Sequence, residues 1–447
     1  MQESSRAGTF SGRVVVLFGT QVFGAVVGIF NGILLARLLG PAAKGDYYLL
    51  ILVPSTVMVL TQLGLPQAFG FFAARGQTLG MVPKSLLLTA LLSSVAFFAV
   101  LALLPILREA FFHGIGLGQV LFAFLALPLA LNATFTTGIV MGRRAVRWYA
   151  AINIALPVVT AALLVAILGG LGPSVNGAIG VYLIASLIQS AAFLVGARRV
   201  NAANARAEHV SYRELLRYGL PLYPGSLTSF FSYRIDAYLI AWLIPDPSEP
   251  LGYYSMAVGL AELVFFFPNA VSVLFFPHVA GSPREESDRQ VAMVSRVTLL
   301  LTGAVALLLI PAAVIMIWIL LPAFGPSIPP FLVLLPGVVA LSAAKVVGGY
   351  ITGIGRPGVN SNISVGAFVV NIVANLILIP RIGITGAAAA SLVSYSLTGL
   401  LITAMAARYT RTPLAGFWIP RPSDVRFTVA TSLDLLRRVR NRSRTHA

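Results

Sequence analysis

Twelve long apolar runs, separated by short breaks, make up most of this 447-residue sequence. A helix needs about 20 mostly apolar residues to cross the hydrocarbon core of a bilayer, and every run reaches that length. Charged residues form only 10% of the chain, whereas globular domains contain about 25%. The pattern therefore predicts an all-α integral membrane protein with about 12 transmembrane helices, at residues 14–35, 46–72, 85–105, 119–141, 148–171, 176–197, 218–244, 252–279, 291–321, 328–353, 359–380 and 384–407.

The Lys and Arg residues are unevenly distributed among the breaks. With the N-terminus in the cytoplasm, 25 of the 31 fall on the inner side, counting Arg296 near the inner end of its span, 4 on the outer side and 2 deep within predicted spans. Loops rich in Lys and Arg stay in the cytoplasm, so we expect both termini there. All outer breaks are short, which excludes a membrane glycosyltransferase or polymerase that needs a catalytic extramembrane loop.

The second half of the chain partly repeats the first. The stretch "ILLARLLGPAAKGDYYLL" is echoed by "YLIAWLIPDPSEPLGYYSM", and "FFAARG" is echoed by "FFPHVAG". Six spans per repeat is an even number, so the halves share one orientation and are expected to be related by a pseudo-two-fold axis along the membrane normal. Two such halves indicate a transporter with its substrate pathway between them. The predicted domains are a bundle of six helices at 1–197, a cytoplasmic linker at 198–217, a second six-helix bundle at 218–408 and a basic cytoplasmic tail at 409–447.

The linker and the tail each allow two interpretations. Ser211 and Glu214 have the spacing of a helix-capping box, which indicates a short interfacial helix in the linker, although a plain linker is an equal alternative. In the tail, apolar residues recur at helical spacing between arginines. They are typical of a helix lying on an anionic membrane surface, and the alternative is a disordered basic tail. These apolar residues are Val425, Val429, Leu433, Leu436 and Val439.

Four stretches in order resemble one known family. They begin with "ARLLGPAAKGDYY", which is similar to the junction of the first two spans in polysaccharide-transport proteins. The family comprises the lipid-linked oligosaccharide (O-antigen type) flippases of the multidrug/oligosaccharidyl-lipid/polysaccharide exporter superfamily. The resemblance extends from Gly12 to Arg408, and its other motifs are "LLRYGLPLYPGSLTSFFSYRIDAYLIAWL", "AAKVVGGYITGIGRPGVN" and "NIVANLILIPRIGITGAAAASLVS".

This resemblance implies a fold and a function. It implies two six-helix bundles that open alternately to each side of a bacterial inner membrane. The implied substrate is an oligosaccharide on polyprenyl pyrophosphate, moved from the inner to the outer leaflet for cell-surface polysaccharide such as lipopolysaccharide or exopolysaccharide. The implied partners are this lipid-linked substrate, membrane lipids and polysaccharide-assembly machinery. It implies no enzymatic activity, and the drive would be an H⁺ or Na⁺ gradient.

Four charged residues lie deep inside the predicted spans, away from their ends, where a charge at mid-bilayer costs about 2.5–3.5 kcal/mol. Arg234 and Glu262 lie at matching depths on adjacent antiparallel helices, so a buried ion pair is expected between them. Asp236 points to a roughly opposite face from Arg234. Asp236 and Glu262 are therefore the candidates for carrying the coupling ion. The fourth residue is Lys345.

Basic residues are the candidates for holding the pyrophosphate. Lys345 lies about eight residues from the cytoplasmic end of its span, at a height suited to contact an anion or, alternatively, to reach the interface as a structural lysine. Arg234 is a second candidate within a span. Weaker candidates at span ends, equally explained by ordinary topology, are Arg37, Arg75, Arg143 and Arg356.

Other functional classes find little support in the sequence. The net charge of +17 accompanies a membrane composition, so it does not indicate nucleic-acid binding. No catalytic residue, metal ligand or cofactor is predicted, because the chain has no Cys and its four His are scattered. The alternatives are a cation-coupled drug or metabolite extruder of the same superfamily and a non-transporting scaffold. The extruder would need a deep acidic residue in the first bundle, whereas Asp46 lies only at the edge of a span.

Overall fold

The computed structural model describes residues 2–112, 114–202, 208–281 and 283–424, and these ranges form helices joined by short turns. The helices are α1 Gln2–Thr61, α2 Leu65–Ala74, α3 Met81–Phe111, α4 Leu117–Phe124, α5 Ala126–Gly142, α6 Val146–Leu164, α7 Val175–Ala202, α8 Tyr212–Gly219, α9 Tyr223–Leu243, α10 Ser248–Glu262, α11 Phe266–Gly281, α12 Arg284–Leu320, α13 Ile328–Gly353, α14 Pro357–Thr410 and α15 Ala415–Trp418.

These helices correspond to the twelve predicted spans. Nine helices of the described chain are long and apolar enough to cross a membrane. Helix α14, broken at Ile382 and Gly383, contains two predicted spans. Helix α1, broken at Gly40, contains the first predicted span and most of the second, which continues into α2. Helix α9 lies where the seventh span was predicted. The prediction of an all-helical, multi-pass membrane protein is confirmed.

The chain divides into two compact units. The first contains Met1–Gly259, Met316–Ile328 and Asn375–Ala387, and the second contains Leu260–Ile315, Pro329–Ala374 and Ala388–Ala447. In the first unit, one apolar cluster packs α6 and α7 against the part of α1 that precedes and follows Gly40. In the second unit α13 is the most buried helix, and the Tyr350 hydroxyl donates to the Asp288 carboxylate at 2.5 Å.

The predicted capping box in the linker is present. The backbone N–H of Glu214 donates to Ser211 Oγ at 3.2 Å, and the backbone N–H of Ser211 donates to Glu214 Oε2 at 2.7 Å. These bonds from Ser211 hold the pKa of the Glu214 carboxyl below its ordinary value. Helix α8 follows directly, so the linker contains a helix rather than only an extended connection.

A buried ion pair fastens the last described residues to the second unit. Arg296 on α12 donates through Nε to Asp424 Oδ2 at 2.6 Å and through Nη1 to the carbonyl of Gly416 at 2.6 Å. The Arg296 and Asp424 side chains are 7% and 2% exposed. The hydrogen bond from Arg296 holds the pKa of Asp424 below its ordinary value. The predicted tail helix beyond this point, with Val425 to Val439, lies outside the described residues.

We expect Arg296→Ala to lower the free energy of unfolding by about 3 kcal/mol, because it leaves a buried carboxylate without its partner. Thermal unfolding in detergent measures the change, and Arg289→Ala, an exposed arginine on the same helix, is the control. Since the pKa of Asp424 is lowered, the contribution is present above its ordinary pKa of 3.8 and is lost as the pH falls through the folded-state value. An Arg296→Ala protein as stable as wild type near neutral pH would contradict this assignment.

Candidate functional site

A buried carboxylate lies among three helices of the first unit. Asp236 on α9 is 3% exposed. Its Oδ2 accepts a hydrogen bond from the Tyr254 hydroxyl at 2.7 Å, and its Oδ1 accepts one from Asn375 Nδ2 at 2.8 Å. Tyr254 is on α10 and Asn375 is on α14, so three helices that are far apart in sequence meet at one acidic group.

Asp236 lies well inside the seventh predicted span, residues 218–244. At 1.5 Å per residue, Asp236 lies about 10 Å from the end of α9 at Leu243. A membrane-embedded acidic residue held by polar partners is a functional candidate by default. Two donated hydrogen bonds partly replace the water that the carboxylate has lost. The site can therefore hold a carboxylate in apolar surroundings, which is what binding and release of a proton or a small cation require.

Lys345 lies in the second unit. Its side chain is half-buried, and Nζ lies 4.4 Å from the centre of the Phe265 ring. Its backbone carbonyl accepts a hydrogen bond from the Ser272 hydroxyl at 3.0 Å. A cation over an aromatic face is stabilised by the ring.

The two sequence echoes described above meet each other in the first unit. A Cβ atom at Gly45 would collide with the carbonyl oxygen of Ser248, and one at Gly252 would collide with that of Pro41. Only glycine allows the two backbones to approach so closely. Asp46 Oδ1 accepts a hydrogen bond from the Ser248 hydroxyl at 2.5 Å. This set of contacts, between residues 41–46 of α1 and residues 248–255 of α10, is called the glycine crossing below.

Lys44 is buried at the glycine crossing. It is 7% exposed, and Nζ donates to Ser255 Oγ at 2.7 Å and lies 3.5 Å from the carbonyl oxygen of Gly252. Its ammonium group is 5.5 Å from the centre of the Phe324 ring. A lysine that the sequence places in an outer loop is therefore enclosed between helices, where it bonds α1 to α10.

The remaining predicted residues occupy different surroundings. Arg234 and Glu262 are half-buried, and their predicted pairing stays a prediction.

The four arginines at predicted span ends differ in exposure: three are exposed, Arg37, Arg75 and Arg356, and Arg143 is half-buried. Arg75 stacks over Phe71 and Arg356 over Tyr409. Among the described residues, no hydrogen bond or ion pair joins these four arginines to another predicted site residue. In the same part of the chain, no cluster of three His, Asp or Glu residues could hold a metal ion.

A sequence profile of the family described as "Polysaccharide biosynthesis protein" matches residues 12–280. The chain belongs to this family. The matched region contains Lys44, Asp236, Tyr254 and the whole glycine crossing. None of the curated protein sequences matches the chain.

Solved structures share the fold of this family member. A structure titled "Lipid II flippase MurJ, inward closed conformation" aligns with a TM-score of 0.68 at 14% identity, covering 90% of this chain and 89% of that chain. An inward-facing multidrug resistance MATE family transporter of the MOP superfamily aligns with a TM-score of 0.60 at 14% identity, covering 88% and 95%. A eukaryotic MATE transporter aligns with a TM-score of 0.58 at 12% identity, covering 90% and 98%. The profile confirms the predicted resemblance to polysaccharide-transport proteins, and the solved structures, which are named as a flippase and as transporters, show that the chain shares their fold.

The sequence singles out Asp236 but not the partners of its carboxylate. Tyr254 belongs to the tyrosine pair of "YLIAWLIPDPSEPLGYYSM". Asn375 belongs to "NIVANLILIP", a stretch whose only signal in the sequence is its family resemblance. Asn371 and Asn375 are four residues apart, so they lie on one face of α14. Two amides on one face of an apolar helix are a signal for a buried polar partner.

Proposed function

We propose that this protein is a flippase for oligosaccharides linked to polyprenyl pyrophosphate, which it moves from the inner to the outer leaflet of a bacterial inner membrane. The observation that carries the proposal is membership of the polysaccharide biosynthesis family in a chain with the fold of lipid and drug transporters. The function serves cell-surface polysaccharide such as lipopolysaccharide or exopolysaccharide. Both termini lie in the cytoplasm, in accordance with the distribution of Lys and Arg.

Movement of the substrate follows from alternating access by two six-helix bundles, residues 1–197 and 218–408, joined by the linker 198–217. The bundles rock about a hydrated lumen through which the sugars cross. The basic tail 409–447 contacts membrane lipids or the polysaccharide-assembly machinery. The glycine crossing supports a moving closure, because the backbones meet directly at Gly45 and Gly252 and the long side chain of Lys44 is held there by a hydrogen bond to Ser255 that can break when the helices separate.

Basic residues hold the pyrophosphate in this proposal. Lys345 is the principal candidate because it is a half-buried cation inside a predicted span, with its ammonium over Phe265. Arg234 is the second, and Arg37, Arg75, Arg143 and Arg356 guide the headgroup at the membrane boundaries. Arginine suits this task because its planar guanidinium can bind phosphate with two parallel hydrogen bonds.

Asp236 couples the transport to an H⁺ or Na⁺ gradient, and Glu262 is the alternative carrier. Asp236 is favoured because it is buried and because α9, α10 and α14 all contribute to its hydrogen bonds. Loading this carboxylate with a proton or a cation changes its bonds to Tyr254 and Asn375. Loading of one carboxylate thus alters the hydrogen bonds that join α9 to α10 and α14.

Purified full-length protein in proteoliposomes provides the test. We expect a fluorescent lipid-linked oligosaccharide to become accessible in the opposite leaflet faster than in empty liposomes, and an imposed H⁺ or Na⁺ gradient to accelerate this movement. Cation-driven dye efflux without movement of the lipid-linked glycan would instead favour the extruder, whose support is the fold shared with MATE transporters. Glycan export that survives Lys345→Ala and Arg234→Ala but not deletion of the tail would favour the scaffold.

A further inference from the structure

A cavity of about 280 Å³ lies inside the first unit, among α1, α6 and α7. Its volume is just below the range of about 300–1,000 Å³ that is usual for pockets of drug-sized ligands. No charged side chain lines it. Half of its lining residues carry an amide or a hydroxyl group, and these six are Asn31, Tyr47, Thr160, Tyr182, Ser186 and Gln189.

Asn31 leaves a buried acceptor at this cavity. Its Nδ2 donates to the carbonyl of Pro157 at 2.9 Å, which fixes the direction of the amide. Its Oδ1 is buried and accepts no hydrogen bond from any residue that the structure describes. A buried acceptor without a donor is costly, so an occupant that donates a hydrogen bond there is favoured.

The other lining groups restrict the chemistry of the occupant. Tyr182 and Ser186 of α7 both line the cavity and give this wall two hydroxyl groups. Leu35 and Leu156 contribute an apolar wall. The amide of Gln189 supplies both a donor and an acceptor. The occupant must therefore be uncharged, with several hydroxyl groups and an apolar face.

We propose that this cavity binds one neutral sugar residue of the glycan that the protein moves. A sugar ring supplies hydroxyl groups for Asn31, Gln189 and the tyrosines, while its C–H face packs against the leucines. The volume admits a single ring and not a chain. In the predicted orientation ten of the twelve lining residues, all except Leu156 and Gln189, belong to the outer halves of their spans, so the sugar is held on the outer side of the transport route. This inference rests on the proposed function, because it names the part of that substrate that the first unit recognises.

Protection of an introduced thiol tests the site in the full-length protein in lipid nanodiscs. The chain contains no cysteine, so Ala185→Cys, in the cavity wall, is the only thiol that a small methanethiosulfonate reagent can modify. We expect a neutral methyl glycoside to slow this modification, and the methyl glycoside of a uronic acid to have no effect. Glu285→Cys, at an exposed position in the second unit, is the control and should react at the same rate with and without either glycoside.

Two variants connect the protection to the proposed contacts. Asn31→Ala should weaken the apparent affinity for the protecting glycoside about tenfold, which corresponds to about 1.4 kcal/mol. Gln189→Leu, which keeps the size of the side chain, should do the same if Asn31→Ala fails to fold. Asn153→Ala is the matched control, because the Asn153 amide donates to Tyr149 of its own helix and is not part of the cavity lining.

The outcomes separate this inference from the proposed function. Three results would each overturn the sugar site. The first is protection of the thiol by Na⁺ alone, and the second is no protection by any neutral glycoside. The third is protection that is as strong with Asn31→Ala or Gln189→Leu as with the unchanged cavity lining. If lipid-linked glycan moves in wild-type proteoliposomes but no glycoside protects, the sugar site fails and the flippase function stands. If glycosides protect through Asn31 and Gln189 but lipid-linked glycan does not move, the sugar site stands and the flippase function fails.

Discussion

Movement of the lipid-linked glycan is expected to stop when a disulfide joins residues 46 and 248, and to resume when the disulfide is reduced. Asp46 and Ser248 are in direct hydrogen-bond contact at 2.5 Å, on helices that belong to the two different sequence repeats. Alternating access requires the repeats to separate at this end of the membrane. A covalent bond between Asp46→Cys and Ser248→Cys holds the glycine crossing closed, so the outward step cannot take place.

The chain is well suited to this experiment, because it has no cysteine that could form another disulfide. Each single cysteine variant should transport at nearly the wild-type rate under oxidation. A pair at Asn132 and Ser190, whose side chains are 2.7 Å apart on α5 and α7 of the same repeat, is the matched control. That disulfide should leave transport intact, because helices within one bundle need not separate. Full-rate transport by a completely cross-linked 46–248 protein would contradict the proposed role of the glycine crossing.

Local sequence signals account for what was predicted correctly. The twelve runs are visible in the sequence because each spanning helix must by itself be long enough and apolar enough to cross the hydrocarbon core. The capping box at Ser211 and Glu214 is equally local, since both groups lie within one turn of the same helix. Asp236 stands out for a similar local reason, because it is an acidic residue in an apolar run, and its functional role stays a prediction.

Contacts between distant segments account for what was missed. Lys44 counted as an outer-loop charge, yet it is buried because Gly45 and Gly252 bring α10 close enough to cover it. Arg296 counted as an inner-loop charge, yet its partner Asp424 is 128 residues further along the chain. The pattern of either segment alone does not show such a pairing. The two sequence echoes contained a usable signal, because glycine and small residues at matching positions indicate a close approach of helices.

Loss of gradient-driven transport is the expected result of Asp236→Asn, with a decrease of at least about tenfold, the effect of about 1.4 kcal/mol. Asparagine keeps the size of the side chain and one acceptor for Tyr254 or Asn375, but it can neither take up a proton nor supply a negative charge for Na⁺. Accumulation of the lipid-linked glycan in proteoliposomes with an imposed gradient measures the change. Asp246→Asn, at an exposed turn residue just beyond α9, is the matched control and should transport as wild type.

Two rates distinguish a coupling role for Asp236 from a merely structural one. If the carboxylate carries the coupling ion, Asp236→Asn abolishes acceleration by the gradient but leaves slow exchange between leaflets without a gradient. If the carboxylate only holds α9, α10 and α14 together, both rates fall equally and thermal stability falls with them. Tyr254→Phe removes one of the two donors, so it should weaken the response to the gradient less than Asp236→Asn does. If Asp236→Asn still responds fully to the gradient, Asp236 does not carry the coupling ion, and Glu262 becomes the candidate for that role.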